Sequence, residues 1–199
     1  MKGIIAVFIL LATVCGCASQ EKEQTGFLSD YSQLQKESSS SLRYVDEDAV
    51  KRYDAFIVEP VQVRFYKGSK APGKLTDQQI ADLTNYTYSK IVEVVQDAGK
   101  KVVQRSGPGV ARVRVALTDI EKSSAVSIIP QASLLGVGIG GASMEAEVVD
   151  SMTGRQIRAI VQSGTGSRIP FSNLSNRAAA KKAIDGWASR FQRRLEESR

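Results

Sequence analysis

The sequence predicts an α+β fold: a single two-layer domain with two helices on one face of a mostly antiparallel sheet of about five strands. Two observations support this. Several short segments have apolar residues at every second position, which is typical of half-buried strands. Two longer segments have apolar residues at helical spacing, which predicts amphipathic helices. The segments follow the order β-α-β-β-β-β-α, and the consecutive strands favour antiparallel pairing.

Alternating or short apolar segments define the predicted strands. They cover residues 61–65, 100–105, 112–117, 144–148 and 157–161. Pro60 precedes the first of them and predicts a bulge or a sheet edge there, because proline cannot donate a ladder hydrogen bond. Residues 150–154 have the composition of a turn, so the last two strands are predicted to form a hairpin.

The two predicted helices have distinct sequence signals. Thr76 and Gln79 form a capping box at the start of the first helix, and Gly99 is placed to end it. The second helix is predicted from about Asn173 to Glu197. Its apolar stripe consists of Ala180, Ile184, Trp187, Phe191 and Leu195. We therefore expect Trp187, in the middle of the stripe, to be buried against the sheet.

The N-terminus has the pattern of a secretory signal. Lys2 is followed by an apolar stretch over residues 3–14 and then by small or apolar residues before Cys17. The stretch is too short to cross a bilayer, which requires about 20 residues. Residues 14–17 (Val-Cys-Gly-Cys) resemble the lipobox of bacterial lipoproteins. That resemblance implies cleavage before Cys17 and acyl chains, palmitate among them, on Cys17 as a permanent membrane anchor.

Three segments follow from this assignment: a signal peptide (1–16), a lipid-anchored polar tether (17–50) and a periplasmic α/β domain (51–199). The alternatives are lipidation at Cys15, which would place Val14 where a small residue is required, and a signal peptide without lipidation. Ala18 follows the cysteine where an aspartate would imply retention at the inner membrane, so the resemblance implies the outer membrane, on its periplasmic face.

The predicted tether contains one apolar segment. Phe27, Leu28, Tyr31 and Leu34 have helical spacing within otherwise polar sequence. A polar tether of this composition does not bury enough apolar surface to fold alone. We therefore expect this segment to form a helical turn that docks against the domain.

A family resemblance rests on four motifs. They are Gly26-Phe27-Leu28-Ser29-Asp30-Tyr31-Ser32-Gln33-Leu34, Leu42-Arg43-Tyr44-Val45, Tyr53 leading to Glu59-Pro60-Val61, and Gly107-Pro108-Gly109-Val110 running into 112–119 (RVRVALTD). In combination they resemble the domain-of-unknown-function family 3313 of bacterial lipoproteins, over nearly the whole mature chain. The resemblance implies a lipoprotein and assigns no activity to any residue.

Composition excludes several classes of chemistry. The sequence has no histidine, which removes histidine triads and the commonest metal ligand, so no metal or cofactor site is predicted. After cleavage the only cysteine is the lipidated Cys17, so no disulfide and no cysteine nucleophile remain. The mature chain has 26 basic and 21 acidic side chains. An exported protein with this mild excess of positive charge meets anionic lipid or glycolipid, and we expect no nucleic-acid partner.

Two features could still carry a catalytic or cofactor role. Glu145 and Glu147 share one face of a strand and could act as a catalytic pair, but a solvated strand face with ion pairs to Arg112, Arg114 or Arg158 is favoured. Residues 136–141 match the glycine pattern of dinucleotide-binding loops. They precede a strand where such a loop would open a helix, so this match is rejected.

Two further segments are candidate contact surfaces. Residues 123–144 carry no charge and include Ile128, Ile129, Leu134 and Leu135. They form either a buried loop or an apolar contact for the membrane or a partner subunit. The last helix has a basic face that includes Arg190, Arg193 and Arg194, which is either solvated or in contact with anionic lipid or lipopolysaccharide.

The sequence therefore predicts an outer-membrane-anchored periplasmic lipoprotein that acts as a non-catalytic binding or envelope-structural module. Its expected partners are the membrane, through the N-terminal lipid, and an envelope protein or anionic glycolipid. One alternative is a subunit of an oligomeric secretion or pore assembly that contacts the membrane through the glycine-rich segment. The other is a hydrolase that uses carboxylates alone. The sequence leaves the oligomeric state open.

Overall fold

A computed structural model of the protein describes residues 24–65, 75–120, 142–162 and 176–197. These residues form an α+β domain with one mixed sheet of eight strands and three helices. The strands are β1 (Gln35–Ser38), β2 (Ser41–Val45), β3 (Ala55–Val58), β4 (Gln62–Val63), β5 (Lys101–Val102), β6 (Val110–Ile120), β7 (Ala142–Asp150) and β8 (Gln156–Gln162). The helices are α1 (Glu47–Val50), α2 (Asp77–Asp97) and α3 (Asn176–Glu196).

The sheet is mixed, and the prediction of a mostly antiparallel sheet of about five strands is wrong in this respect. Its order is β1-β2-β8-β7-β6-β3-β5, and β4 also pairs with β6. The strands from β1 to β6 in this order pair antiparallel, whereas β3 and β4 run parallel to β6 and β5 runs parallel to β3. The parallel part follows from α2, because a helical crossover returns the chain to the sheet in its original direction.

Strands β1 and β2 come from residues assigned above to the polar tether, so that assignment is corrected for residues 35–50. Strand β2 pairs along its length with β8, from Ser41 opposite Gln162 to Val45 opposite Arg158. Leu42 and Tyr44 lie on one face of β2 and pack into a cluster of apolar residues there. The alternation in β2 is short and follows the polar residues of β1, so it is difficult to recognise in the sequence. Strand β1 is exposed along its whole length and therefore tolerates polar residues.

Helix α2 begins and ends as predicted. The Thr76 hydroxyl accepts a hydrogen bond from the Gln79 amide (3.2 Å), and the Gln79 side chain accepts one from the Thr76 amide (2.9 Å). At the other end Gly99 has φ +71°, a conformation that glycine adopts without strain. The Lys100 amide then donates to the Val95 carbonyl (3.0 Å), which closes the helix with a Schellman-type bond.

Helices α2 and α3 pack side by side on one face of the sheet, which confirms the prediction of a helical layer there. Trp187 is buried in a cluster formed by α2, α3 and strands β6 and β7; the other buried members are Leu83, Leu117, Met144, Ala180 and Ile184. The two helices are also joined by a hydrogen bond from the Tyr86 hydroxyl to Asp185 (2.6 Å). The hairpin of β7 and β8 is as predicted, with Gly154 at φ +74° in its turn.

Among the described residues, none of the helices is both long enough and apolar enough to cross a bilayer. The predicted signal peptide, Cys17 and residues 123–141 of the uncharged segment, which include Ile128, Ile129, Leu134 and Leu135, lie outside the described residues.

Candidate functional site

The face of the sheet opposite the helices is covered by residues 24–34, here called the N-terminal segment. Phe27 and Leu28 are buried, and they pack on three buried side chains of the sheet: Ala116, Ala159 and Val161. The predicted docking of this segment is therefore confirmed. The predicted helical turn is wrong, because the segment runs across the sheet without helical structure. Its polar groups bond to the sheet and also within the segment, where the Leu28 amide donates to the Tyr31 hydroxyl (3.1 Å) and the Ser32 amide donates to Asp30 (2.8 Å).

Glu145 of β7 accepts hydrogen bonds from two separate parts of the N-terminal segment, at Thr25 and at Tyr31. Its carboxylate accepts hydrogen bonds from the Thr25 amide (2.8 Å) and the Thr25 hydroxyl (2.9 Å). The Tyr31 hydroxyl donates a third bond (2.5 Å). Burial, and next the bond to Glu145, raises the pKa of Tyr31 to about 12, so the phenol keeps its proton and remains a donor at neutral pH.

Glu147, two residues along the same strand, binds the middle of the segment. It accepts hydrogen bonds from the Ser29 amide (2.8 Å) and the Ser29 hydroxyl (2.9 Å). It also accepts one from the Gln156 side chain (2.8 Å) and forms an ion pair with Arg114. Both oxygens of the carboxylate are thereby occupied by donors.

Arg114 on β6 links this carboxylate to the apolar part of the N-terminal segment. Its guanidinium lies over the Phe27 ring, 5.1 Å from the ring centre, in a cation–π contact. The same group lies 3.6 Å from the Glu59 carboxylate. One side chain therefore contacts a buried carboxylate, a second carboxylate and an aromatic ring of the docked segment.

The carboxylate pair of Glu145 and Glu147 is almost fully buried, with 0% and 1% of each residue exposed. The prediction of a solvated strand face is wrong for this reason, while the predicted pairing with Arg114 is confirmed. Arg112 pairs instead with Glu59 (3.3 Å), and Arg158 lies on the helical face. Strand alternation cannot reveal that a distant segment covers the polar face. Buried charges require partners, and the N-terminal segment supplies them.

A cleft of about 100 Å³ lies on the other face of the sheet, between β6–β8 and the two long helices. Its walls are mainly apolar, with Trp187, Ala188 and Phe191 from α3 facing the strands. The apolar strand residues in its lining include Val113, Val115, Met144, Ala146, Val148 and Ile160, and Glu147 is also part of the lining.

Basic side chains surround this cleft: Arg43, Lys90, Arg158, Arg190 and Arg194. Burial lowers the pKa of Arg158 to about 10 and also lowers the pKa of Arg190. Both shifts report guanidinium groups partly removed from water.

Three carboxylates, Glu37, Glu47 and Glu93, form ion pairs with these cations. Glu37 pairs with Arg194 (2.7 Å) and with Arg43 (3.7 Å), and Glu47 also pairs with Arg43 (3.7 Å). Lys90 pairs with Glu93 on its own helix (2.7 Å). Among the described residues, no carboxylate forms an ion pair with Arg190.

The structure separates the predicted contact residues of α3. Arg190 and Arg194 line the cleft, whereas Arg193 is exposed and outside it. Within the described ranges, no cluster of three or more potential metal ligands occurs.

The sequence matches the family model of the protein family of unknown function DUF3313 over residues 23–191. The chain belongs to this family. The match confirms the resemblance drawn from the motifs, and it begins just before the N-terminal segment. No curated protein matches the sequence.

Several solved structures resemble this DUF3313 protein distantly. A PelC dodecamer from Paraburkholderia phytofirmans is 14% identical, with a TM-score of 0.39; the match covers 68% of this chain and 86% of that one. A protein from Xanthomonas campestris of family DUF330 is 14% identical (TM-score 0.43; 73% and 85% covered). A minor lipoprotein from Acinetobacter baumannii is 11% identical (TM-score 0.36; 73% and 92% covered). Likeness at this level decides neither fold nor function.

Sequence reasoning missed Thr25 and Ser29 as partners of the carboxylate pair, and it missed Arg43 and Arg158 as part of a cleft. Thr25 and Ser29 flank the apolar residues Phe27 and Leu28, and Glu145 and Glu147 alternate with apolar residues in their strand, but neither pattern pairs the two segments. The cleft gives no comparable signal, because its residues come from several separate elements.

Proposed function

We propose that this DUF3313 protein is a lipoprotein of the outer membrane whose periplasmic domain is a non-catalytic binding module held close to the membrane surface. The observation that carries the proposal is the docking of the N-terminal segment on the buried carboxylate pair. This segment is the part of the chain next to the expected lipid anchor. The docking therefore supports a short connection between the lipid and the domain.

The length of that connection follows from the chain itself. Gln24, the first described residue, lies only a few positions after Cys17. At about 3.6 Å for each extended residue, the chain from Cys17 to Gln24 spans at most about 25 Å. A lipid on Cys17 would thus hold Gln24, at the start of the docked N-terminal segment, within about 25 Å of the bilayer. A tether that stayed free as far as residue 50 would permit a much greater distance.

The hydrogen bonds of the carboxylate pair support a non-catalytic role. A general acid or base needs a carboxyl group that can reach a substrate or a water molecule. Glu145 and Glu147 accept bonds from Thr25, Ser29 and Tyr31 and are covered by the segment that contains them. Their chemistry is used to hold the chain in place.

The anchor is tested by replacing each cysteine separately. We expect Cys17→Ser to abolish labelling with radioactive palmitate and to release the domain into the soluble periplasmic fraction. Cys15→Ser is the matched control and should leave labelling and membrane fractionation unchanged. Loss of labelling in the Cys15 variant alone would contradict the assignment of Cys17.

The short connection is tested in vesicles with the lipidated protein. Trp187 is the only tryptophan and can transfer excitation energy to a dansyl-labelled lipid. Inserting about ten glycine and serine residues after Ala18 should lower this transfer, because the domain can then move away from the surface. Equal transfer before and after insertion would show that the chain length does not set the distance.

A further inference from the structure

The cleft beneath α3 combines an apolar interior with basic side chains around it. We infer that it binds the alkyl chain of an anionic amphiphile whose acidic head group, such as a carboxylate, lies beside Arg190. The inference rests on the proposed role as a binding module and names the class of ligand that the module binds. The cleft belongs to the folded domain and does not depend on the lipid anchor.

The interior favours alkyl groups. Trp187 and Phe191 form one wall, and the apolar side chains of β6, β7 and β8 form the other. Polar ligands would lose hydrogen bonds with water here without replacement. An engineered apolar cavity of about 150 Å³ accommodates benzene, so about 100 Å³ fits a stretch of several methylene groups, with the remaining chain extending through the open side.

Arg190 determines the sign of the head group. Its side chain is part of the cleft lining and is partly withdrawn from water, and it makes no hydrogen bond or ion pair with the described residues. Glu37 acts on it only through space, because that carboxylate is bonded to Arg194. A ligand carboxylate would give Arg190 the charge-assisted, bidentate partner that its geometry suits.

The other groups at the opening favour the same sign. Arg43 and Arg194 share Glu37, and Arg158 adds a partly buried guanidinium that donates to the Arg194 carbonyl (3.3 Å). Arg190 adds a positive charge with which no carboxylate of the described residues forms an ion pair. A cationic amphiphile would therefore be repelled, and a neutral one would gain only the apolar contacts.

The test uses three probes with the same decyl chain length: decanoate, decanol and decyltrimethylammonium. The protein is the full mature chain with Cys17→Ser, and binding is followed by the fluorescence of Trp187, which lines the cleft. We expect decanoate to bind at least about tenfold more tightly than decanol, and the cationic probe to bind more weakly than both. Arg190→Gln should weaken decanoate binding about tenfold and leave decanol binding unchanged.

Arg193→Gln is the matched control, because Arg193 lies on the same helix but outside the cleft. It should change neither affinity. Ala188→Leu reduces the apolar space and should weaken decanoate and decanol equally, provided that circular dichroism shows an unchanged fold. The inference is overturned if no probe binds, if decanoate and decanol bind alike, or if the Arg190 and Arg193 variants behave alike. Because the protein lacks the lipid, none of these results affects the anchor test, and a failed anchor test leaves them intact.

Discussion

The two faces of the sheet are covered in different ways. On one face, the apolar sides of α2 and α3 pack against apolar strand residues. Burial of this kind is non-directional, so it tolerates small shifts of a helix relative to the sheet. On the other face, the N-terminal segment buries two aromatic or aliphatic anchors together with two carboxylates that must each find donors. The helices are therefore held on their face mainly by buried apolar surface, whereas the N-terminal segment is held on the other face by a specific set of hydrogen bonds.

This difference has an energetic consequence. A buried ion pair is often no more stabilising than apolar residues of the same shape, but removing one partner leaves a buried charge without compensation. The carboxylate pair therefore specifies the position of the N-terminal segment more than it adds net stability. Only one placement brings Thr25 and Ser29 to glutamates that lie two residues apart on β7.

The largest effect is expected on the helical face, from Trp187→Ala. The free energy of unfolding should fall by about 3 to 5 kcal/mol, because a large buried side chain is lost and a cavity remains. Chemical denaturation measures the change. Met152→Ala is the control, since Met152 is 65% exposed in the hairpin turn and should change stability by less than about 0.5 kcal/mol. Similar losses in both variants would contradict the assigned burial.

On the other face, Glu147→Gln should cost about 3 kcal/mol. Glutamine keeps the shape but removes the charge that Arg114 faces and turns an amide NH₂ toward existing donors. Glu93→Gln is the control, because its ion pair with Lys90 is exposed and contributes about 1 kcal/mol or less. Equal denaturation midpoints for the two variants would show that the carboxylate pair does not hold the segment.

The smallest effect concerns alkaline pH. The folded-state pKa of Tyr31 is raised to about 12 from an ordinary value of 10, so its contribution is complete below pH 10 and is lost as the pH rises toward 12. Tyr31→Phe should therefore flatten the decline of stability between pH 10 and 12, at a cost of about 1 kcal/mol at neutral pH. Stability measured against pH for both proteins tests this, and parallel curves would contradict it.

The two faces also differ in how far the sequence predicts them. The helical face follows from local patterns: the capping box at Thr76, the terminal glycine at position 99 and the stripe that contains Trp187 all have their predicted roles. These signals lie within one helix and report its contacts directly. The strand hairpin at residues 150–154 is predictable for the same reason.

On the other face, the docking of the N-terminal segment depends on contacts between residues far apart in the sequence. Thr25 and Glu145, for example, are 120 positions apart. No sequence signal joins these two residues, and a strand with alternating glutamates is usually solvated on that side. The parallel pairing was not predicted, because β3 was not recognised as a strand and the apolar pattern of residues 61–65 and 100–105 does not give the direction of pairing. The docking of Phe27 and Leu28 was predictable because apolar residues in a polar region require a surface to cover.

Amide hydrogen exchange at Thr25 and Ser29 shows directly whether the carboxylate pair holds the N-terminal segment on the sheet, because each amide donates to one carboxylate of the pair (2.8 Å in both cases). We expect both amides to exchange far more slowly than unfolded peptide, and Glu145→Gln with Glu147→Gln to remove this protection while the amides of α2 keep theirs. If the Thr25 and Ser29 amides of the unaltered protein exchange at the rate of unfolded peptide, the carboxylate pair does not hold the N-terminal segment on the sheet.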